Sequence, residues 1–184
     1  DQWKNKGWYP EDVVLKKSTL TIGINFLLEN SEVIVASPYA VDDKGAKQYL
    51  CKRYPSVFTF LIRGVFPNCL KNIFKSRLAS YEMHNLSENE PAVDVPIVSG
   101  CFMLLRSKSL IEIGGFDERY FLYFEDFDLS IRMRKHGELV YAPKVHIKHS
   151  GGDAAKKGAS HILAFIKSGF RFFNTHGWRF FRKS

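Results

Sequence analysis

A chain of 184 residues with 45% hydrophobic content can bury one core, so one compact body is expected rather than two. Its 27 basic against 19 acidic residues leave a net charge of +8, which favours an anionic partner such as a nucleotide, a diphospho-lipid or a membrane surface without choosing among them. No apolar run reaches the ~18 residues of a membrane span, no signal peptide opens the chain, and Cys51, Cys69 and Cys101 form no CxxC pair. The expectation is a cytoplasmic protein with free thiols, peripheral at most to the inner face of a membrane.

In chain order, residues 1–10 are polar and aromatic without a period. Residues 19–29 place Leu20, Ile24, Leu27 and Leu28 on one face, which predicts an amphipathic helix capped near Ser18. Residues 33–36 read as a short strand closed by Pro38, and residues 42–45 as a turn. Residues 49–83 interleave Lys52, Arg53, Arg63, Lys71, Lys75 and Arg77 with Tyr54, Phe58, Phe60, Phe66 and Phe74. This stretch reads as one or two packed helices with solvated lysines, or as a surface that meets an anionic lipid-linked acceptor. Residues 85–96, acidic and with two prolines, suggest a mobile loop of the kind that covers active sites.

Residues 98–105 are apolar apart from Ser99 and Gly100 and predict a buried strand, in which Gly100 admits a close approach. A short helix over 107–113 then stops at Gly114 or Gly115, where glycine adopts the left-handed backbone, and Asp117 follows at a corner. A second helix runs from about Asp126 to Gly137. At a hundred degrees per residue, Phe127, Leu129, Ser130, Ile131, Met133 and Arg134 share one arc, and Asp128, Arg132 and Lys135 the other. Asp126 projects onto the apolar arc and Glu125 away from it. A carboxylate half buried on a helix's first turn can have its pKa tuned for proton transfer.

Residues 139–142 and 145–148 predict two strand pieces on either side of Pro143, the second ending at His149. From residue 155 the pattern is helical and basic, with Ile162, Leu163, Phe165, Ile166, Phe170, Phe172 and Phe173 opposite Lys167, Arg171 and Asn174. That face either packs on the core or lies in a headgroup region, with Arg171, Arg179, Arg182 and Lys183 meeting anionic lipid.

The run SGxFMLxR, then GGFDExYFLYFEDxDLxxRxRxxG, then YxPxxxIxHxGG resembles the C-terminal half of family 2 glycosyltransferases, especially the bacterial rhamnosyltransferase-like members. The resemblance implies an α/β fold of GT-A type, a mixed and mostly parallel sheet flanked by helices. Residues 1–154 would form a partial GT-A domain, and 155–184 a C-terminal amphipathic basic helix and tail. It further implies transfer of a sugar, with inversion, from a nucleotide-sugar donor to a glycan or lipid-linked acceptor. Asn5 and Gly7 resemble the family's Asn-x-Gly loop, while residues from Asp12 onward resemble a later segment, so the helix and strand between them are missing near Pro10 and Glu11.

By the same resemblance, Asp12 is a metal aspartate, His149 a second ligand of a divalent ion (Mn or Mg) and Asp126 the general base. Glu125 and Asp117 would orient the acceptor, and Gly100, Gly115 and Arg132, with Asn5 and Gly7, would serve donor or acceptor binding. Two other classes stay open. One is a catalytically inactive acceptor- or membrane-binding module of the same fold. The other is a basic membrane-surface or nucleic-acid protein, ranked last because no nucleic-acid motif is present.

Overall fold

A computed structural model describes residues 13–64, 66–150 and 159–181. At its centre β2 (Val33–Val41) and β7 (Glu138–His149) run parallel, from Val33 opposite Glu138 to Val41 opposite Lys148. β2 and the first half of β7 are apolar on both faces, as a strand covered from two sides must be, while from Lys144 onward β7 alternates buried and exposed residues. On one side Val33, Ala36, Val140, Ala142 and Val145 pack with Leu27 of α1 (Thr19–Glu29). On the other, Ile34, Val35, Leu139 and Tyr141 pack with Leu129 and Met133 of α6 (Glu125–Met133).

The remaining pairs are antiparallel. β1 (Val13–Leu15) lies against β7, and β3 (Lys47–Gln48) and β6 (Leu104–Leu105) lie against β2. β4 (Cys51–Lys52) and β5 (Ile97–Val98) form a separate two-stranded sheet. The sheet is thus mixed, as expected, but not mostly parallel: among the described residues β2 and β7 are its one parallel pair. For β2 and β3 the cause is connection length, since the turn after β2 is too short for anything but a hairpin. That turn is where the sequence puts it, with Asp42 Oδ1 accepting the amides of Lys44 and Ala46 and Gly45 at φ 80°.

Several elements differ from their expected form. β2 does not stop at Pro38, and β7 is one strand rather than two pieces around Pro143. Pro38 lies opposite Ala142 while the next residue, Tyr39, lies opposite His146, so residues 143–145 bulge out of the ladder. Two prolines that lack amide donors therefore meet at one break in register, and neither ends its strand. The expected strand over 98–105 is two short strands, β5 and β6, separated by a turn at Gly100 and Cys101.

α1 has the predicted bounds, and Leu27 of the predicted face is buried, but the helix is turned by about one residue from the rest of that face. Thr19, Gly23 and Leu27 are its buried positions, while Leu20, Ile24 and Leu28 are 47%, 49% and 71% exposed. A Cβ on Gly23 would stand 2.6 Å from Leu104 Cδ2, so the helix lies closest to the sheet where its side chain is smallest. Ser18 makes no side-chain cap; the Thr19 hydroxyl instead accepts the Lys16 amide and donates to the His146 carbonyl.

Residues 49–83 hold three short helices, α2 (Val57–Gly64), α3 (Asn68–Ile73) and α4 (Lys75–Tyr81). The segment expected to be mobile is laced to β7: Ala92 exchanges backbone hydrogen bonds with Tyr141, and the amide of fully buried Val95 donates to Leu139. α5 (Ser107–Glu112) ends as predicted, with Gly114 and Gly115 at φ 77° and 71°. The last helix, α7 (Ala159–His176), packs on the core with part of its apolar surface, as one of the two expectations had it. Phe172 and Phe173 pack on Tyr120 and Phe124, while Ile162, Leu163, Ile166 and Phe170 stay exposed. Among the described residues no helix is long and apolar enough to cross a membrane.

Candidate active site

The site is built on the start of α6. Tyr123 and Phe124, immediately before it, both have positive φ, 68° and 66°. For bulky side chains this backbone costs about 1–3 kcal/mol and persists only where its surroundings impose it. Here the Phe124 ring is buried among Phe60, Phe127, Phe165 and Phe172, with centroids 5.0 to 5.4 Å away. The strained corner sets Glu125, Asp126 and Asp128 in the first turn of α6, where the free amides favour negative charge.

Asp126 is clasped by two backbone amides, one of them in that first turn. Its Oδ2 accepts the Gly100 N–H at 2.8 Å and its Oδ1 the Phe127 N–H at 2.9 Å. A Cβ on Gly100 would lie 3.0 Å from Asp126 Cβ, so the close approach that glycine permits here is made by Asp126 itself. Burial raises the Asp126 pKa, opposed by the Gly100 and Phe127 hydrogen bonds and by the charge of Lys52. Lys52 on β4 is itself pushed down to about 8 by burial, and sequence reasoning counted it only as one cation of a basic stretch. The pairing of β4 with β5, which leads into Gly100, brings it near Asp126; no local signal shows that.

Glu125 differs from its neighbour. One of its carboxylate oxygens is buried and has no hydrogen-bond partner among the described residues. Burial, then the Asp126 charge, push its pKa up to about 7.

Asp128 was assigned to the polar arc, and the structure corrects this: it is 1% exposed. Its Oδ2 accepts Arg132 Nε at 2.7 Å, and its Oδ1 lies 2.8 Å from His176 Nε2 on α7. Arg132, expected to bind donor or acceptor, is half-buried and also donates to the Ile113 carbonyl at 3.0 Å, which ties α6 to the end of α5. The i,i+4 spacing of Asp128 and Arg132 was visible in the sequence. The helix that covers Asp128, more than forty residues away, was not.

Asp117, at its corner, is engaged by Arg119, whose Nε lies 2.9 and 3.0 Å from the two carboxylate oxygens. That pairing holds the Asp117 carboxyl down at about 2. At Gly115 a Cβ would meet nothing within 4 Å, so glycine is required there by the left-handed backbone rather than by a close neighbour.

His149 ends β7 directly opposite Val13, with Nδ1 2.7 Å from Gln48 Oε1. Asn5, Gly7, Asp12 and the junction of Pro10 with Glu11 lie outside the described residues. Among the described residues no group of three or more His, Cys, Asp or Glu could hold a metal ion.

No protein-family model matches the chain. Over 95 residues, 50% of this chain and 30% of the relative, it is 38% identical to an N-acetylglucosaminyl-diphospho-decaprenol L-rhamnosyltransferase of Mycobacterium tuberculosis. Over 164 residues, 88% of this chain and 58% of the relative, it is 24% identical to rhamnosyltransferase WbbL of Escherichia coli. These similarities support a glycosyltransferase family. The chain spans less than two thirds of the length of either relative.

Proposed function

We propose that the chain carries the acceptor-side catalytic part of an inverting, family 2, GT-A-type glycosyltransferase. It moves a sugar, L-rhamnose by analogy with the names of its relatives, from a nucleotide-sugar donor to a hydroxyl of a glycan or lipid-linked acceptor. The observation that carries this reading is the carboxyl pair at the start of α6. Asp126 has two amide donors that favour its charged form against the upward pull of burial, while Glu125 has a buried, unpartnered oxygen. Asp126 is therefore the base that accepts the proton of the attacking hydroxyl, and Glu125 beside it supports the orientation of the acceptor. Asp12 and His149 would hold a Mn or Mg ion, which when bound offsets charge on the departing nucleotide diphosphate. The cytoplasmic face of a membrane is the setting this reading favours, supported by the exposed apolar side chains of α7 and by Trp178 and Phe180 beyond it.

The test is incubation of the full chain with nucleotide-activated L-rhamnose, manganese and a short-chain N-acetylglucosaminyl diphospho-lipid, with the anomeric configuration of the product read by NMR. Inverted rhamnosyl product is expected. Binding of the lipid without binding of any nucleotide sugar would instead favour an inactive acceptor-binding module of the same fold.

A further inference from the structure

A cavity of about 170 Å³ lies between α7 and the segment that leads into α6, lined by Arg119, Phe121, Ala164, Lys167, Ser168 and Arg171. Three of these six are cations and none is a carboxylate. Two of the cations are already oriented. Arg119 is held by both oxygens of Asp117, and Arg171 donates to the Arg119 carbonyl and lies over the Tyr120 ring. Ser168 donates to the Leu122 carbonyl at 2.7 Å, which fixes α7 against this wall of the cavity. Asp117 offsets part of the Arg119 charge, and the lining still carries a clear positive excess, suited to a group bearing two or more negative charges.

Beside the cations the surface is apolar. Phe121 is 75% exposed, and Leu163, Ile166 and Phe170 on α7 are 68%, 60% and 59% exposed. At helical spacing these three form a strip next to Lys167 and Arg171. An anion site bordered by uncovered apolar side chains matches a phosphate joined to a hydrocarbon better than a free one.

We infer that this groove binds the diphosphate of a lipid-linked acceptor, with the lipid chain lying along Leu163, Ile166 and Phe170. The inference rests on the glycosyltransferase reading above and adds a site to it. Arg119 and Phe121 belong to the short segment that leads into Glu125, so the groove is built from the same stretch of chain as the start of α6.

The experiment is equilibrium binding of farnesyl diphosphate and of inorganic pyrophosphate to the full chain, without donor. Farnesyl diphosphate should bind at least tenfold more tightly than pyrophosphate. Lys167→Glu should weaken it at least tenfold, whereas Lys75→Glu, an equal charge change outside the groove, should change it less than twofold. Ile166→Gln should weaken farnesyl diphosphate and leave pyrophosphate unchanged. Equal affinities for the two ligands, or equal effects of Lys167→Glu and Lys75→Glu, would overturn the proposal. A parallel arm uses phosphatidylglycerol vesicles: if Lys167→Glu abolishes sedimentation with them but spares farnesyl diphosphate binding, the groove meets bulk lipid and the proposal fails. Failure of sugar transfer with these contrasts intact would sink the reading above and leave the site standing. Transfer with an acceptor KM unchanged by Lys167→Glu would do the reverse.

Discussion

Asp126 accepts two backbone amides, which favour its charged form, and Glu125 buries an oxygen that accepts none, which disfavours its own. A direct consequence is a pH dependence of stability. The Glu125 pKa is raised from 4.5 to about 7, so between those values the folded chain binds more protons than the unfolded one. The contribution is fully present below about 4.5 and is lost as pH rises through about 7. Discounted for partial solvent screening, it amounts to roughly 1–2 kcal/mol. Urea unfolding at pH 5 and pH 8 should show the wild type losing about that much more than Glu125→Gln. Gly100→Ala tests the clasp from the other side, because its methyl would press on Asp126 at 3.0 Å and force a shift of a few tenths of an ångström. The expected cost is about 1 kcal/mol in stability and roughly tenfold in turnover, and a larger loss of stability than of turnover would count against the clasp.

At the scale of elements, the sequence locates helices better than it orients them. The bounds of α1 follow from its apolar period, yet Leu20, Ile24 and Leu28 repeat as regularly as the positions that are buried. The deciding residue is Gly23, whose missing side chain lets α1 settle against Leu104, and periodicity gives glycine no weight. Leu27→Ala should therefore cost about 2–3 kcal/mol in thermal or urea unfolding, and Ile24→Gln less than about 0.5. Reversed costs would show that α1 is turned the other way. Asp128 teaches the same point for polar residues. Its helical angle gave the wrong side, because His176 and the rest of α7 cover what α6 alone would leave open. Asp128→Asn should weaken the chain by about 1–3 kcal/mol, because buried Asp128 then loses its charge-assisted bonds to half-buried Arg132 and to His176, while turnover per folded molecule stays within a few fold. A large fall in turnover without loss of stability would assign Asp128 to the chemistry. The left-handed pair Tyr123 and Phe124 was not legible at all, since only the aromatic cluster built with α7 imposes it.

For the whole molecule, the net charge of +8 pointed to an anionic partner without placing it. The fold gathers Arg119, Lys167 and Arg171 at one groove close in sequence to the carboxyl pair, from stretches about fifty residues apart. What was legible at this scale was the order of motifs and the mixed sheet with its flanking helices. Hidden from the sequence were the pairing of the α6 start with Gly100, the antiparallel surroundings of β2 and β7 and the partners of Arg132, all of which depend on distant segments. The central claim is that Asp126 is the proton acceptor in sugar transfer, and turnover of Asp126→Asn in the full chain tests it most directly. The account predicts a fall of roughly two to four orders of magnitude in kcat, with nucleotide-sugar binding nearly unchanged. Near-normal turnover of Asp126→Asn, together with loss of activity in Glu125→Gln or Asp117→Asn, would contradict it.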